Sequence, residues 1–461
     1  MRDLTAGSIG GHLVRMAGPI AAAMMFQTAY FLVDLYFVAH VGAAAIAGVG
    51  AAGNLVFLVL ALTQMLAAGT LSLLAHAVGR KDREESNLVF NQANALGMLL
   101  FAGTLVVFYL IAAPYMATLG AGPATVRAGR IYLYCFIPGL ALQFITTALS
   151  SALRATGIVK PTMLVQAATL SLNIVLAPVL IAGWGTGYPL GVAGAGLAST
   201  IAVAVGVVLL GFYFIRYESY VTVNFAQWRP RWPIWKRLFQ IGIPAGGEFA
   251  LMVVYSGVIY WVIRRFGTSA QAGFGTGVRL MQAIFMPGMA LSFAVAPIAG
   301  QNFGARNFAR VRETLRLAIY SSFAIMAGLM VVCQWQPDGL VHLFTRDPRV
   351  VAQGALFLRI ISWNFVASGV IFSCSGMFQA LGNTLPSLVS SGSRLVSFVV
   401  PALWLSFQPV FRIETVWYVS VASVALQAAI SLLLVRRELR RRLPAPVLDT
   451  GGIVFEAPPF P

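Results

Sequence analysis

A chain of 461 residues that is 59% hydrophobic and only 10% charged is too apolar for a soluble fold, where about a quarter of residues are charged. Its formal net charge of +17 could suggest nucleic acid, but 21 of the 31 Lys and Arg fall on one side of the predicted spans, which is membrane topology rather than a binding face. Cys135, Cys333 and Cys374 lie in apolar stretches as packing residues, and the chain shows no phosphate loop, no Cys/His metal spacing and no nucleophile–base pairing, which argues against an enzyme, a bound metal or a cofactor.

Windows of roughly 20 apolar residues predict twelve transmembrane helices, at 12–38, 50–76, 88–112, 127–152, 160–183, 190–214, 237–263, 273–299, 313–335, 351–376, 386–409 and 412–435. No alternating barrel pattern is present, so the expected fold class is an all-α membrane bundle. The first apolar run is too long for a cleavable signal peptide. Basic inner segments, from Arg80 and Lys81 to the run Arg436 to Arg442, place both termini in the cytoplasm of a multi-pass protein of the cell's inner membrane, with anionic headgroups of the bilayer as neighbours.

In the first span Asp34 is the one charged residue between Arg15 and His40. Gln27, Tyr30 and Asp34 recur at intervals of three and four and form one polar stripe on the helix. A carboxylate at that depth costs a few kcal/mol and is rarely left facing lipid. Asn173 in the fifth span and Ser199 or Thr200 in the sixth could reach it, giving a site that takes and releases a proton or coordinates a cation; an interhelical hydrogen bond is the plainer alternative. His76, closing the second span, reads as interfacial.

In the seventh span Glu248 lies four residues past Pro244, near the membrane middle, on a helix loosened by Gly242, Gly246 and Gly247. It either faces a cleft, where it attracts a cationic substrate, or pairs with Arg279 or Arg394. Met252, Tyr255 and Gln282 join Glu248 and Arg279 as candidate cleft residues, and Pro19 and Pro244 can kink their helices because each removes a backbone donor.

The second half of the chain repeats the first. Pro19 and Pro244, Gly42 and Gly267, Gly79 and Gly304, and Gly157 and Gly382 are all separated by 225 residues. Six helices followed by six in the same orientation form two bundles related by a pseudo-two-fold axis along the membrane normal. The lobes are placed at 1–220 and 237–442, joined by a cytoplasmic linker at 221–236 and followed by a disordered tail at 443–461. Asp34 maps onto Ile259 and Glu248 onto Ala23, so neither carboxylate has a twin.

The first span with Pro19, the run from Val33 to Val38 ahead of Val41 and Gly42, the stretch Ala75 to Asp82, and Leu153 to Gly157 before Pro161 together resemble the MATE family, the multidrug and toxic-compound extrusion transporters. Glu248 after Pro244, and Arg394 ahead of Pro401, resemble its bacterial DinF-like branch. That resemblance implies a secondary antiporter exporting amphipathic, often cationic small molecules against protons or sodium by alternating access. It also implies an ion-linked site at Asp34 and Asn173, with a hydroxyl from Ser199 or Thr200. Ala177 stands where many relatives carry a second aspartate, which favours protons over sodium. A flippase for lipid-linked or polysaccharide cargo is the alternative from the related superfamily, and a monomer is the expected state.

Overall fold

The structure, a computed structural model, describes residues 1–119, 122–408 and 411–444. The tail expected to be disordered therefore lies, from residue 445 onward, outside the described residues. Every regular element among them is helical: α1 (Ile9–Val41), α2 (Ala43–Gly79), α3 (Arg83–Leu119), α4 (Pro123–Ala155), α5 (Lys160–Ile181) and α6 (Val192–Arg216), then α7 (Trp232–Ile263), α8 (Thr268–Gly304), α9 (Phe308–Trp335), α10 (Pro337–His342), α11 (Pro348–Ile361), α12 (Asn364–Ala380), α13 (Leu385–Ser406) and α14 (Ile413–Arg442). Eleven of these are long and apolar enough to cross a membrane, and the bent pair α11–α12 makes a twelfth span. The fold is the expected one, twelve transmembrane helices in two six-helix lobes.

The tenth span, expected as one helix over 351–376, is broken instead, its halves meeting at 58°. No proline causes the bend. The Gln334 amide of α9 donates to the Arg359 carbonyl at 2.8 Å and to Ser362 Oγ at 2.9 Å, taking up backbone capacity that a straight helix would use itself. At 37 residues each, α2, α3 and α8 extend about 55 Å, well beyond a 30 Å hydrocarbon layer.

The repeat is written into the backbone. Lys81 and Arg306, 225 residues apart, are the two non-glycine residues with positive φ among the described residues, at 58° and 60°, and each turns the chain out of its lobe's second helix. Gly157 and Gly382 form the next matched pair, at 77° and 72°. The segment joining the lobes runs from the end of α6 at Arg216 to α7, which begins at Trp232 with Pro233 in its first turn. The linker is fastened along α3: Asn87 Oδ1 accepts from Thr222 N at 2.7 Å, Asn91 Oδ1 from Asn224 N at 2.8 Å, and Gln92 Oε1 from Arg231 N at 2.8 Å.

The lobes meet at the end of the bundle that carries the basic turns. Glycines make the approach possible. A Cβ on Gly79 would sit 2.0 Å from the Gln301 carbonyl oxygen, and one on Gly304 would sit 2.2 Å from that of His76. Two hydrogen bonds cross the seam as twins: His76 Nε2 to the Ala380 carbonyl at 2.6 Å, and Gln301 Nε2 to the Ala155 carbonyl at 2.7 Å. The N-terminal segment laces the same seam. Leu4 is fully buried, donates its N–H to Gln301 Oε1 at 3.0 Å and accepts from Asn302 at 3.1 Å, while Arg2 N reaches the Thr156 carbonyl at 2.8 Å. Further up, Gly242 and Gly246 of α7 lie against Met65 and Ala61 of α2. Beyond that level Phe57, Leu58, Met252, Val253 and Val254 are exposed.

Candidate functional site

The helix α1 belongs to both lobes. Its first turns, with Leu13, Met16 and Ile20, pack into a cluster with Ala290, Leu291, Ala294 and Ile298 of α8. Its far half runs beside α5 and α6, where Val38 joins the N-terminal core. The helix continues through Pro19 without interruption, as α7 does through Pro244.

Asp34 sits in the far half, 8% exposed, and Ser199 Oγ of α6 lies 3.5 Å from its Oδ1, a long contact. No cation is within ion-pair distance of it among the described residues. The Tyr30 hydroxyl, beside the same Ser199, is buried and closes no hydrogen bond of its own. Asn173 on α5 is fully buried, and both its amide nitrogen and its amide oxygen lack a protein partner. Buried polar atoms are nearly always paired, so the Tyr30 hydroxyl on the helix of Asp34 and the Asn173 amide on the neighbouring α5 mark unused hydrogen-bonding capacity. Gln27, one turn below Tyr30, is half-buried.

Thr200 does not belong to this site. Its hydroxyl donates to the Cys135 carbonyl at 2.7 Å and accepts from Gly139 N at 3.2 Å, which ties α6 to α4. Adjacent residues on a helix face different neighbours, so Ser199 and Thr200 could not both reach Asp34. One residue went unforeseen: Tyr132 of α4, buried and within electrostatic range of both Asp34 and Tyr30. Its apolar surroundings in sequence gave no signal. Ala177, one turn beyond Asn173, is fully buried.

Glu248 occupies a separate site in the other lobe. Its Oε2 accepts from Ser387 at 2.7 Å and Ser375 at 3.5 Å, and its Oε1 from Ser391 at 3.2 Å. It forms no ion pair, so the expected alternative of a partner in Arg279 or Arg394 does not hold among the described residues. The glycines around it serve close packing rather than looseness, since a Cβ on Gly242 would lie 2.3 Å from the Met65 carbonyl oxygen. The candidate cleft residues divide. Met252, Arg279 and Gln282 are exposed, whereas Tyr255 donates to or accepts from Ser420 Oγ at 2.8 Å.

Compared with known proteins, the chain matches the MatE family profile over residues 19–179 and 244–405. It is 27% identical to the probable multidrug resistance protein YpnP of Bacillus subtilis, over 90% of each chain. It is 26% identical to the multidrug export protein MepA of Staphylococcus aureus, over 95% of this chain and 94% of that one. A FAD transporter of Shewanella oneidensis is 23% identical over 86% of this chain and 88% of its own. Among solved structures, a MOP-superfamily transporter of Pyrococcus furiosus described as having a binding pocket of reverse polarity superposes with a TM-score of 0.88 at 23% identity, covering 95% and 98% of the two chains. A MATE transporter in an outward-facing conformation superposes equally well, at 0.88 and 23% identity, with the same coverage.

Proposed function

Because this chain belongs to the MatE family, a family of multidrug efflux transporters, we propose that it is a secondary antiporter that exports amphipathic, often cationic compounds in exchange for protons. The observation that carries this reading is Asp34: a buried carboxylate with one long hydroxyl contact and, among the described residues, no cation, with the unpaired Tyr30 phenol one turn before it on α1. A charge held that way is poorly compensated, and binding a proton or a cation removes the deficit. Ala177 leaves the site a single carboxylate, where a dehydrated sodium ion favours several charged or carbonyl oxygens, so the donor set supports a proton. Sodium coupling and a lipid-linked or polysaccharide cargo are the alternatives.

The basic end is the cytoplasmic one by the distribution of Lys and Arg, with both termini there and the chain working as a monomer in the inner membrane. The closed seam at that end then corresponds to a cleft open to the outside. Protonation of Asp34 from outside would alter its contacts with Ser199 and Tyr30, shift the far half of α1, and release cargo outward. The near half of α1 is packed on α8, so a shift would pass to the other lobe.

The test uses purified protein in liposomes, with a pH gradient or a sodium gradient imposed separately and efflux of a fluorescent cationic amphiphile followed. The proton gradient alone is expected to drive transport, and Asp34→Asn to abolish it at equal abundance. Undiminished uphill transport by Asp34→Asn would sink the assignment, and transport driven only by sodium would replace the coupling ion.

A further inference from the structure

The repeat allows the Asp34 site to be compared with its own twin position in the C-terminal lobe. Adding 225 converts Tyr30 to Tyr255, Asp34 to Ile259, Asn173 to Phe398 and Ser199 to Val424. The aromatic is kept, while the acid, the amide and the hydroxyl become buried apolar residues. Thr169, whose hydroxyl only bonds back to the Gln166 carbonyl, becomes Arg394. The twin pocket has thus exchanged a carboxylate for a guanidinium.

Arg394 is held but not neutralised. Its guanidinium carbon lies 4.2 Å from the centre of the Tyr255 ring, and that ring is fixed by Ser420 at 2.8 Å and by Phe398 at 4.8 Å between ring centres. Its Nε is buried with no acceptor. No carboxylate lies within ion-pair distance among the described residues. The nearest acid on the same seam is Glu248, about one helical turn away along α13, and serines from α12 and α13 occupy its oxygens. The side chain lies on the α13 face shared by Ser387, Ser391 and Phe398, away from the exposed face of Val389, Val396 and Val400, yet it is only half-buried. The side chain is therefore turned from the apolar exposed face of α13 toward the face that packs inside the lobe. A guanidinium is a planar fork of donors matched to two oxygens of an oxyacid, and an unpaired one at membrane depth is costly.

We propose that Arg394, seated on Tyr255, is an anion-recognition subsite for the exported compound: cargo accepted here carries a carboxylate, sulfonate or phosphate on an apolar body, alone or with a cationic group elsewhere. The inference rests on the transporter reading. Two unlike charges, Glu248 and Arg394, stand about a turn apart on one seam without pairing. That arrangement suits a zwitterionic amphiphile, with its two poles held separately.

Equilibrium binding tests this without any gradient, so failure of proton antiport leaves the result standing, and failure here leaves antiport standing. Protein in phosphatidylcholine nanodiscs is titrated with two dansyl amphiphiles that differ only in a terminal carboxylate or its primary amide. Wild type is expected to bind the carboxylate at least tenfold more tightly than the amide. Arg394→Gln should abolish that preference while changing amide binding less than twofold, and Arg394→Lys should restore part of it. Tyr255→Leu, which removes the ring beneath the guanidinium and leaves the charge, should weaken the preference, giving a second reading should Arg394→Gln fold poorly. Equal binding of both probes by wild type, or an intact preference in Arg394→Gln, overturns the proposal. Displacement of the carboxylate probe by phosphatidylglycerol added at modest mole fraction would reassign the subsite to a lipid headgroup and overturn its role in cargo selection.

Discussion

At Asn173 the geometry separates a structural amide from a working one. A buried amide that braces two helices would be paired with protein atoms, and its loss would lower stability by about 1–3 kcal/mol. Asn173 is fully buried and both of its polar atoms lack a protein partner. Asn173→Leu, close in size and apolar, is therefore expected to leave the unfolding midpoint in detergent unchanged or raised while transport of a fluorescent amphiphile falls at least tenfold. A lowered midpoint with transport kept would mean that the amide is structural. The sequence carried this site in part. The spacing of Gln27, Tyr30 and Asp34 put them on one face, and the one long contact to Asp34 comes from Ser199 as expected. Thr200 was misplaced because chemistry alone does not distinguish neighbouring hydroxyls, and direction along the helix does. The serines around Glu248 come from α12 and α13, and no spacing along the chain brings Ser375, Ser387 and Ser391 onto one carboxylate.

Among the elements, the helices themselves were legible, because a span needs little more than length and apolarity. What the sequence did not reveal is where they touch. Gly242 and Gly246 look like breaks in α7, yet they are contacts with α2, and the broken tenth span is set by Gln334 reaching in from another helix. These features depend on side chains distant in sequence. Gly242→Val tests the first. The added Cβ would meet the Met65 carbonyl oxygen at 2.3 Å, backbone that cannot rotate away. The two lobes are expected to separate at that level, favouring the form open at the basic end. A thiol reagent added from the side of the basic turns should then label a cysteine placed at Ala61 faster than in the Gly242 protein. Equal labelling rates would show that α7 yields locally and that the seam does not depend on this contact.

Across the whole molecule, the alternating access proposed above requires the seam at the basic end to open, and the seam is nearly symmetric. His76 and Gln301 occupy the same repeat position, as do Ala380 and Ala155, so each lobe reaches across to the other's fourth-helix turn with one side-chain donor. Removing either donor leaves a buried carbonyl unpaired in the closed form only. That costs about 1–3 kcal/mol, or roughly five- to more than a hundred-fold in the ratio of closed to open molecules. The symmetry is broken by the N-terminal segment, which uses Gln301 Oε1 as acceptor for Leu4 N and has no counterpart at His76. Gln301→Ala therefore strands two groups and His76→Ala one. Spin labels at Glu84→Cys and Ala309→Cys, exposed twin positions on the two lobes, with the three native cysteines replaced, report the gap by electron–electron distance measurement. The parent protein should give one short distance. A longer component is expected to grow in His76→Ala, to grow further in Gln301→Ala and to dominate in the double variant. Equal effects of the two single variants would remove the N-terminal segment from the gate, and an unchanged distribution in the double variant would show that packing of Gly79 and Gly304 alone holds the lobes together.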